Sequence, residues 1–119
     1  MSGGWLTTHV LDAAHGVPAS GVRIVLHRLS GDDPGTVVTV TTNADGRSDT
    51  PLLAGDVFRA GVYQLDFHIG VYFRAKGVVL PEPAFLDVVP IRFGIADEEA
   101  HYHVPLLASP FSFSTYRGS

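Results

Sequence analysis

Short apolar runs that alternate with a period of two, each closed off by glycine or proline, constrain this chain more than any other feature. Tyr63, Leu65, Phe67 and Ile69 share one face while Gln64, Asp66 and His68 share the other, the pattern of a half-buried strand. Val89, Ile91, Phe93 and Ile95 repeat it. A third run sets Tyr102, Val104 and Leu106 against His101, His103, Pro105 and Leu107, which turns both histidines away from the core. Further strands are expected at Leu6–Leu11, Val22–Leu29, Val37–Thr42 and Phe111–Tyr116, with turns at Ala14–Gly21, Gly31–Gly35 and Asn43–Gly46. Thirteen glycines and eight prolines supply that punctuation. The predicted fold class is all-β, a two-sheet β-sandwich of seven to eight strands in one domain over residues 1–119. Gly70–Gly77 lacks the alternation and is expected to form one short helix. Pro90 and Pro105 lie inside strands, and because proline cannot donate to a ladder, both strands should be edges or carry bulges there.

Hydrophobic residues make up 45% of the chain and charged residues 17%, which is enough core material and too little charge for disorder. A net charge of −4 without a basic cluster argues against a nucleic-acid partner. No cysteine is present, so disulfides, thiolate zinc sites and thiol nucleophiles are excluded. Any nucleophile must be water, a hydroxyl, an imidazole or a carboxylate. The opening residues have no basic and apolar leader pattern, and no apolar run approaches the roughly 18 residues of a membrane span. The expected location is the cytoplasm, with no membrane partner.

Six histidines exceed the needs of packing, and histidine changes charge near neutral pH. His15 reads as a solvated turn residue, and His27 and His68 as polar-face residues pointing to solvent. His9 lies in a strand among Thr7, Thr8 and Val10, and His103 precedes an apolar stretch; either alone is commonly structural. His101 and His103 at i and i+2 could bind zinc with His9 as third ligand, although that spacing is a weak motif. In the turn Asn43-Ala44-Asp45-Gly46-Arg47, Gly46 supplies a positive φ and Arg47 projects just beyond. Facing a cleft, Arg47 could hold an oxyanion or imide edge bidentately. The last residues, Ser112-Phe113-Ser114-Thr115-Tyr116-Arg117-Gly118-Ser119, keep aromatics and an arginine where most domains fray, and should be docked. Asp97-Glu98-Glu99 is read as a solvated turn.

The ending Tyr116-Arg117-Gly118-Ser119, the segment His101-Tyr102-His103-Val104-Pro105-Leu106-Leu107, the turn Thr42–Arg47 and the opening Leu6-Thr7-Thr8-His9-Val10-Leu11-Asp12 together resemble the transthyretin-related family of 5-hydroxyisourate hydrolases. Val89–Ile95 belongs to the same likeness, which covers essentially the whole chain. The terminal tetrapeptide is its most specific part, separating these enzymes from hormone-carrying transthyretins. The resemblance implies a homotetramer of transthyretin-like sandwiches with sites in the channel between paired dimers, a cofactor-free ring opening in urate degradation, and 5-hydroxyisourate as the small-molecule substrate; the lack of cysteine and of any strong histidine-ligand spacing adds the expectation that no metal is needed. It assigns catalysis to His9, Arg47, His103 and Ser119, and substrate binding to Tyr116, Arg117 and Gly118.

The residues themselves fit such chemistry. Hydrolysing a cyclic amide takes a base for water, a cation or donor for the oxyanion, and a proton for the departing nitrogen. His9 and His103 can share the proton work, Arg47 can stabilise the oxyanion, Ser119 can reach water or substrate through its hydroxyl or carboxylate, and Tyr116 can wall the pocket. Either imidazole could be the base. The competing readings are a carrier of an apolar ligand, an adhesion or structural sandwich module, and a zinc hydrolase.

Overall fold

The alternating runs become strands of two facing sheets in a computed structural model that describes residues 3–118. Along the chain these are β1 (Trp5–Asp12), β2 (Val17–Pro18), β3 (Arg23–Arg28), β4 (Gly35–Thr41), β5 (Leu53–Ala54), β6 (Gly61–His68), the helix α1 (Ile69–Ala75), β7 (Val88–Ile95), β8 (His101–Ala108) and β9 (Phe113–Thr115), with one 3₁₀ turn at Gly55–Val57. One sheet runs β4-β3-β6-β7, antiparallel throughout. The other runs β2-β1-β8-β9, and β5 also pairs with β1. Between them lies one apolar core, in which Leu6, Ile24, Leu26, Phe58, Tyr63, Leu65, Phe67 and Leu106 are fully buried. Each such side chain contributes about 2 kcal/mol through the water it sheds.

Nine strands among the described residues exceed the seven to eight expected because β2 and β5 are two residues long. Pairings that short leave no periodicity to read. They matter nonetheless for the edge of β1. One side of β1 is taken by β8, in parallel from Trp5↔His101 to Asp12↔Ala108. Its other side is tiled in succession by β5 at Trp5–Leu6, by a bridge between His9 and Arg47, and by β2 at Leu11–Asp12.

The helix spans Ile69–Ala75, one residue earlier than Gly70–Gly77 at its start and two shorter at its end. Ile69, Gly70, Tyr72 and Phe73 turn inward. Tyr72 carries its hydroxyl to Asp12, which is itself buried and whose carboxylate also accepts from the backbone N–H groups of Ala14 and His15 and contacts His15 Nδ1 at 2.6 Å. Burial opposes the Asp12 charge, but the hydrogen bonds from His15 and Tyr72 outweigh it and hold the carboxyl below its ordinary range. A carboxylate depressed in the folded state stabilises above its unfolded pKa and loses that contribution as pH falls through the folded value. Asp12→Ala is therefore expected to cost about 2–3 kcal/mol in urea denaturation at neutral pH, since it strands buried donors, and the gap from wild type should shrink in acid.

Pro90 sits in β7, an edge strand, as the missing N–H demands. Pro105 differs from expectation, because β8 lies between β1 and β9 and has no bulge in either ladder. The β8–β9 ladder covers Leu106–Ala108, lapses beside Pro105, and resumes in the same register as a bridge between His103 and Gly118. The absent donor thus falls where the ladder lapses, and there Thr115 Oγ1 donates to the Pro105 carbonyl at 2.7 Å.

Candidate active site

Residues of β1 and β8 that face away from the core meet on the outer surface of their sheet. On β1 these are Trp5, Thr7 and His9; on β8 they are His101 and His103, with Thr7 directly opposite His103. The intervening Leu6, Thr8, Val10, Tyr102 and Val104 are buried, so the period of two alone turns both histidines of β8 outward, as expected. A cleft of about 460 Å³ opens over this surface, lined by Thr7, Thr8, His101 and His103 on one side and Arg47 through Pro51 on the other.

Local turn chemistry brings Arg47 here. Asn43 Oδ1 accepts from the backbone N–H groups of Asp45 and Arg47, and Asn43 N–H donates to the Arg47 carbonyl. Gly46 has φ +76°, and a Cβ there would collide with the Val10 carbonyl oxygen. Only glycine allows the turn to lie this flat on β1, where Val10 N–H donates to the Gly46 carbonyl at 2.8 Å. The next residue bridges His9.

The electrostatics follow from that placement. Burial first, and then the Arg47 guanidinium, hold His9 below the ordinary imidazole range, against a smaller opposing effect of Asp45. Burial, Arg47, His101 and His9, in that order, do the same to His103. Both imidazoles are therefore neutral at pH 7 and able to accept a proton.

The tail docks on the same strand. Gly118 N–H donates to the His103 carbonyl at 2.7 Å, and a Cβ on Gly118 would stand 2.9 Å from His103 Cδ2. Arg117 sets its guanidinium 4.3 Å from the centre of the Tyr102 ring and donates to the His101 carbonyl. Tyr116 is 60% exposed and lines no part of the cleft in the single chain. Ser119 lies outside the described residues.

The structure thus gathers Arg47, His9, His103 and Gly118, with His101 on the same face, and sends the remaining three histidines elsewhere. His15 is exposed and tied to Asp12, while His27, half-buried rather than solvated, pairs with Asp66 on the other sheet at 3.0 Å. His68 is half-buried on that sheet's polar face. Among the described residues no three His, Asp or Glu side chains converge as a metal-binding group. Sequence reasoning missed Thr7, whose hydroxyl lies 2.7 Å from His101 Nε2 and 2.8 Å from His103 Nδ1. Alternation with His9 puts Thr7 on the correct face, but its register against β8 has no local signature.

The sequence pattern of the HIUase/Transthyretin family matches residues 6–118. The 5-hydroxyisourate hydrolase of Pseudomonas aeruginosa is 61% identical over 116 residues, covering 98% of this chain and 92% of that protein. A crystal structure of (S)-allantoin synthase superposes with a TM-score of 0.94 at 51% identity over 98% of this chain, which spans only 44% of that longer chain. Sea bream transthyretin in complex with thyroxine superposes with a TM-score of 0.83 at 30% identity, covering 95% of this chain and 93% of that one.

Proposed function

The chain belongs to the HIUase/Transthyretin family, and from that membership we propose that it is a hydrolase that opens the six-membered ring of 5-hydroxyisourate in urate degradation. The product is 2-oxo-4-hydroxy-4-carboxy-5-ureidoimidazoline. The observation that carries this reading is the convergence of Arg47 on two imidazoles held neutral, His9 and His103, of which His103 lines the open cleft together with Arg47. Either imidazole takes a proton from water, the hydroxide adds to the ring carbonyl, and Arg47 holds the oxygen as it becomes anionic. The ring C–N bond then breaks, and the proton passes to the departing nitrogen. Gly118 packs against His103, Arg117 anchors the tail, and Ser119 and Tyr116 complete the site against substrate or water. In this proposal the chain works as a single domain in the cytoplasm without a cofactor.

The test is the transient absorbance of freshly generated 5-hydroxyisourate. It should vanish far faster with the protein than by spontaneous decay, and equal rates would sink the reading. A carrier of an apolar ligand, the main rival, needs an apolar channel wall; here the cleft presents Thr7, Arg47, Asp49, His101 and His103. Dialysis against a strong chelator is expected to leave the rate unchanged, and a loss that zinc restores would make His9, His101 and His103 ligands instead.

We also propose a homotetramer. It is supported by the open backbone edges of β7 and β9 and by Val88, Phe113 and Tyr116, exposed at 40%, 43% and 60%. Sedimentation at micromolar concentration should show a single tetrameric species, and a fully active monomer would refute it.

A further inference from the structure

Two histidines and one hydroxyl stand in a row across the β1–β8 pair. Thr7 Oγ1 bridges His101 Nε2 at 2.7 Å and His103 Nδ1 at 2.8 Å. A threonine hydroxyl carries one proton, so it donates to one ring and accepts from the other. Two arrangements satisfy both contacts. In one, Thr7 donates to His103 Nδ1, and the neutral His103 ring then carries its proton on Nε2. In the other, His103 Nδ1–H donates to Thr7, Thr7 donates to His101 Nε2, and His103 Nε2 is left with a bare lone pair. Only the second gives His103 a basic nitrogen other than the one already engaged by Thr7.

The far end of the row is held in place. The His101 ring stacks on Trp5 with centroids 4.4 Å apart and planes 11° apart, which fixes the ring whose Nε2 meets Thr7. At the near end the Arg47 guanidinium opposes a positive charge on His103. Among the described residues, the other charged or titratable groups around the pair are His9 on β1, Asp49 on the cleft wall and Arg117 on the tail.

We propose that Thr7 and His101 form a proton relay behind His103, Thr7 as the residue that sets the His103 tautomer and His101 as the group that holds the proton taken from water. The proposal rests on the hydrolase reading and names His103, rather than His9, as the base. Water gives its proton to His103 Nε2, His103 Nδ1–H passes to Thr7 Oγ1, and the original Thr7 proton passes to His101 Nε2. His103 ends neutral with its proton on Nε2, His101 ends as an imidazolium, and the hydroxide has added to the carbonyl. When the ring C–N bond breaks, His103 gives its Nε2 proton to the departing nitrogen and the row runs backward. No proton is gained or lost over the cycle.

The experiment compares wild type with Thr7→Val, Thr7→Ser, His101→Phe and the Thr7→Val/His101→Phe pair, all first checked for an unchanged Tm. Thr7→Val keeps the shape and removes the hydroxyl, so kcat should fall about tenfold or more with KM within about twofold, and Thr7→Ser should recover most of it. The double variant should be no worse than the poorer single one, because both break the same row. The rate in mixtures of light and heavy water should curve in wild type, where several protons move together, and become linear in Thr7→Val. Nitrogen NMR of labelled histidine should find the His103 proton on Nδ1 in wild type and redistributed in Thr7→Val. Single variants at wild-type rate, losses that multiply in the double variant, unchanged isotope curvature, or a His103 proton on Nε2 at rest would each overturn the relay. A wild-type protein that does not hasten the decay of 5-hydroxyisourate overturns the underlying reading, whereas an active one with an indifferent Thr7→Val overturns the relay alone.

Discussion

Arg47→Ala is expected to lower kcat by about 10²–10³-fold and to move the acid limb of kcat/KM upward toward the ordinary imidazole range. The first effect is the loss of the charge that meets the developing oxyanion, a group of the kind whose removal costs about 3–4 kcal/mol elsewhere. The second follows from the placement of Arg47 beside both imidazoles, where it is the largest cause after burial of their low affinity for protons. With His9 and His103 held below the ordinary range, the basic form persists into mild acid, and activity is lost as pH falls through the lowered value. Without the guanidinium that value rises, and the loss sets in at higher pH. Burial remains, so the limb moves only part of the way. The measurement is kcat/KM against pH, which reports groups of the free enzyme. An Arg47→Ala protein with a reduced rate but an unmoved acid limb would separate Arg47 from the base. His9→Ala and His103→Ala should each cost a similar factor, while His27→Ala and His68→Ala, on the opposite sheet, should leave turnover near wild type.

A chain ending at Thr115 is expected to keep its thermal midpoint within a few degrees and to lose about 10²-fold or more in kcat/KM. Residues 116–118 contribute no side chain to the core. Truncation removes the Arg117 guanidinium from the Tyr102 ring and one backbone bridge to His103, interactions that together stabilise the fold by about 1 kcal/mol. The catalytic cost has a different origin. Gly118 lies against the ring of His103, so the tail restricts where that imidazole can turn and excludes water from one of its faces. Gly118→Ala separates packing from mere presence of the tail: a methyl 2.9 Å from His103 Cδ2 must push one or the other aside, and kcat should fall while the rest of the tail remains. A truncated protein that folds and hydrolyses at nearly the full rate would remove the tail from the mechanism.

The strand set was legible because alternation is a local property. Tyr63, Leu65 and Phe67 announce a buried face whatever they pack against, as do Val89–Ile95 and Tyr102–Leu106, and the structure turns those faces to the core, Ile91 and Phe93 only partly buried, with only small shifts at strand ends. β2 and β5 were not legible, since two residues carry no period. Pro105 misled for a related reason: proline forbids a donor, but whether that makes an edge depends on where the neighbouring strand stops.

Of the site, the sequence by itself determined which way side chains point. His101 and His103 face outward because Tyr102 and Val104 face inward, and the glycine turn before Arg47 follows from Asn43 and Gly46. What only the tertiary structure decided is who meets whom. The parallel register of β1 on β8 sets Thr7 opposite His103, the tiled edge of β1 sets Arg47 against His9, and the lapse at Pro105 lets the tail rejoin β8 at His103. These juxtapositions join residues far apart in the chain, and a strand's period of two is satisfied equally by every even shift of register. The choice among those shifts is made by packing of the whole core, a sum over all strands that no single segment carries.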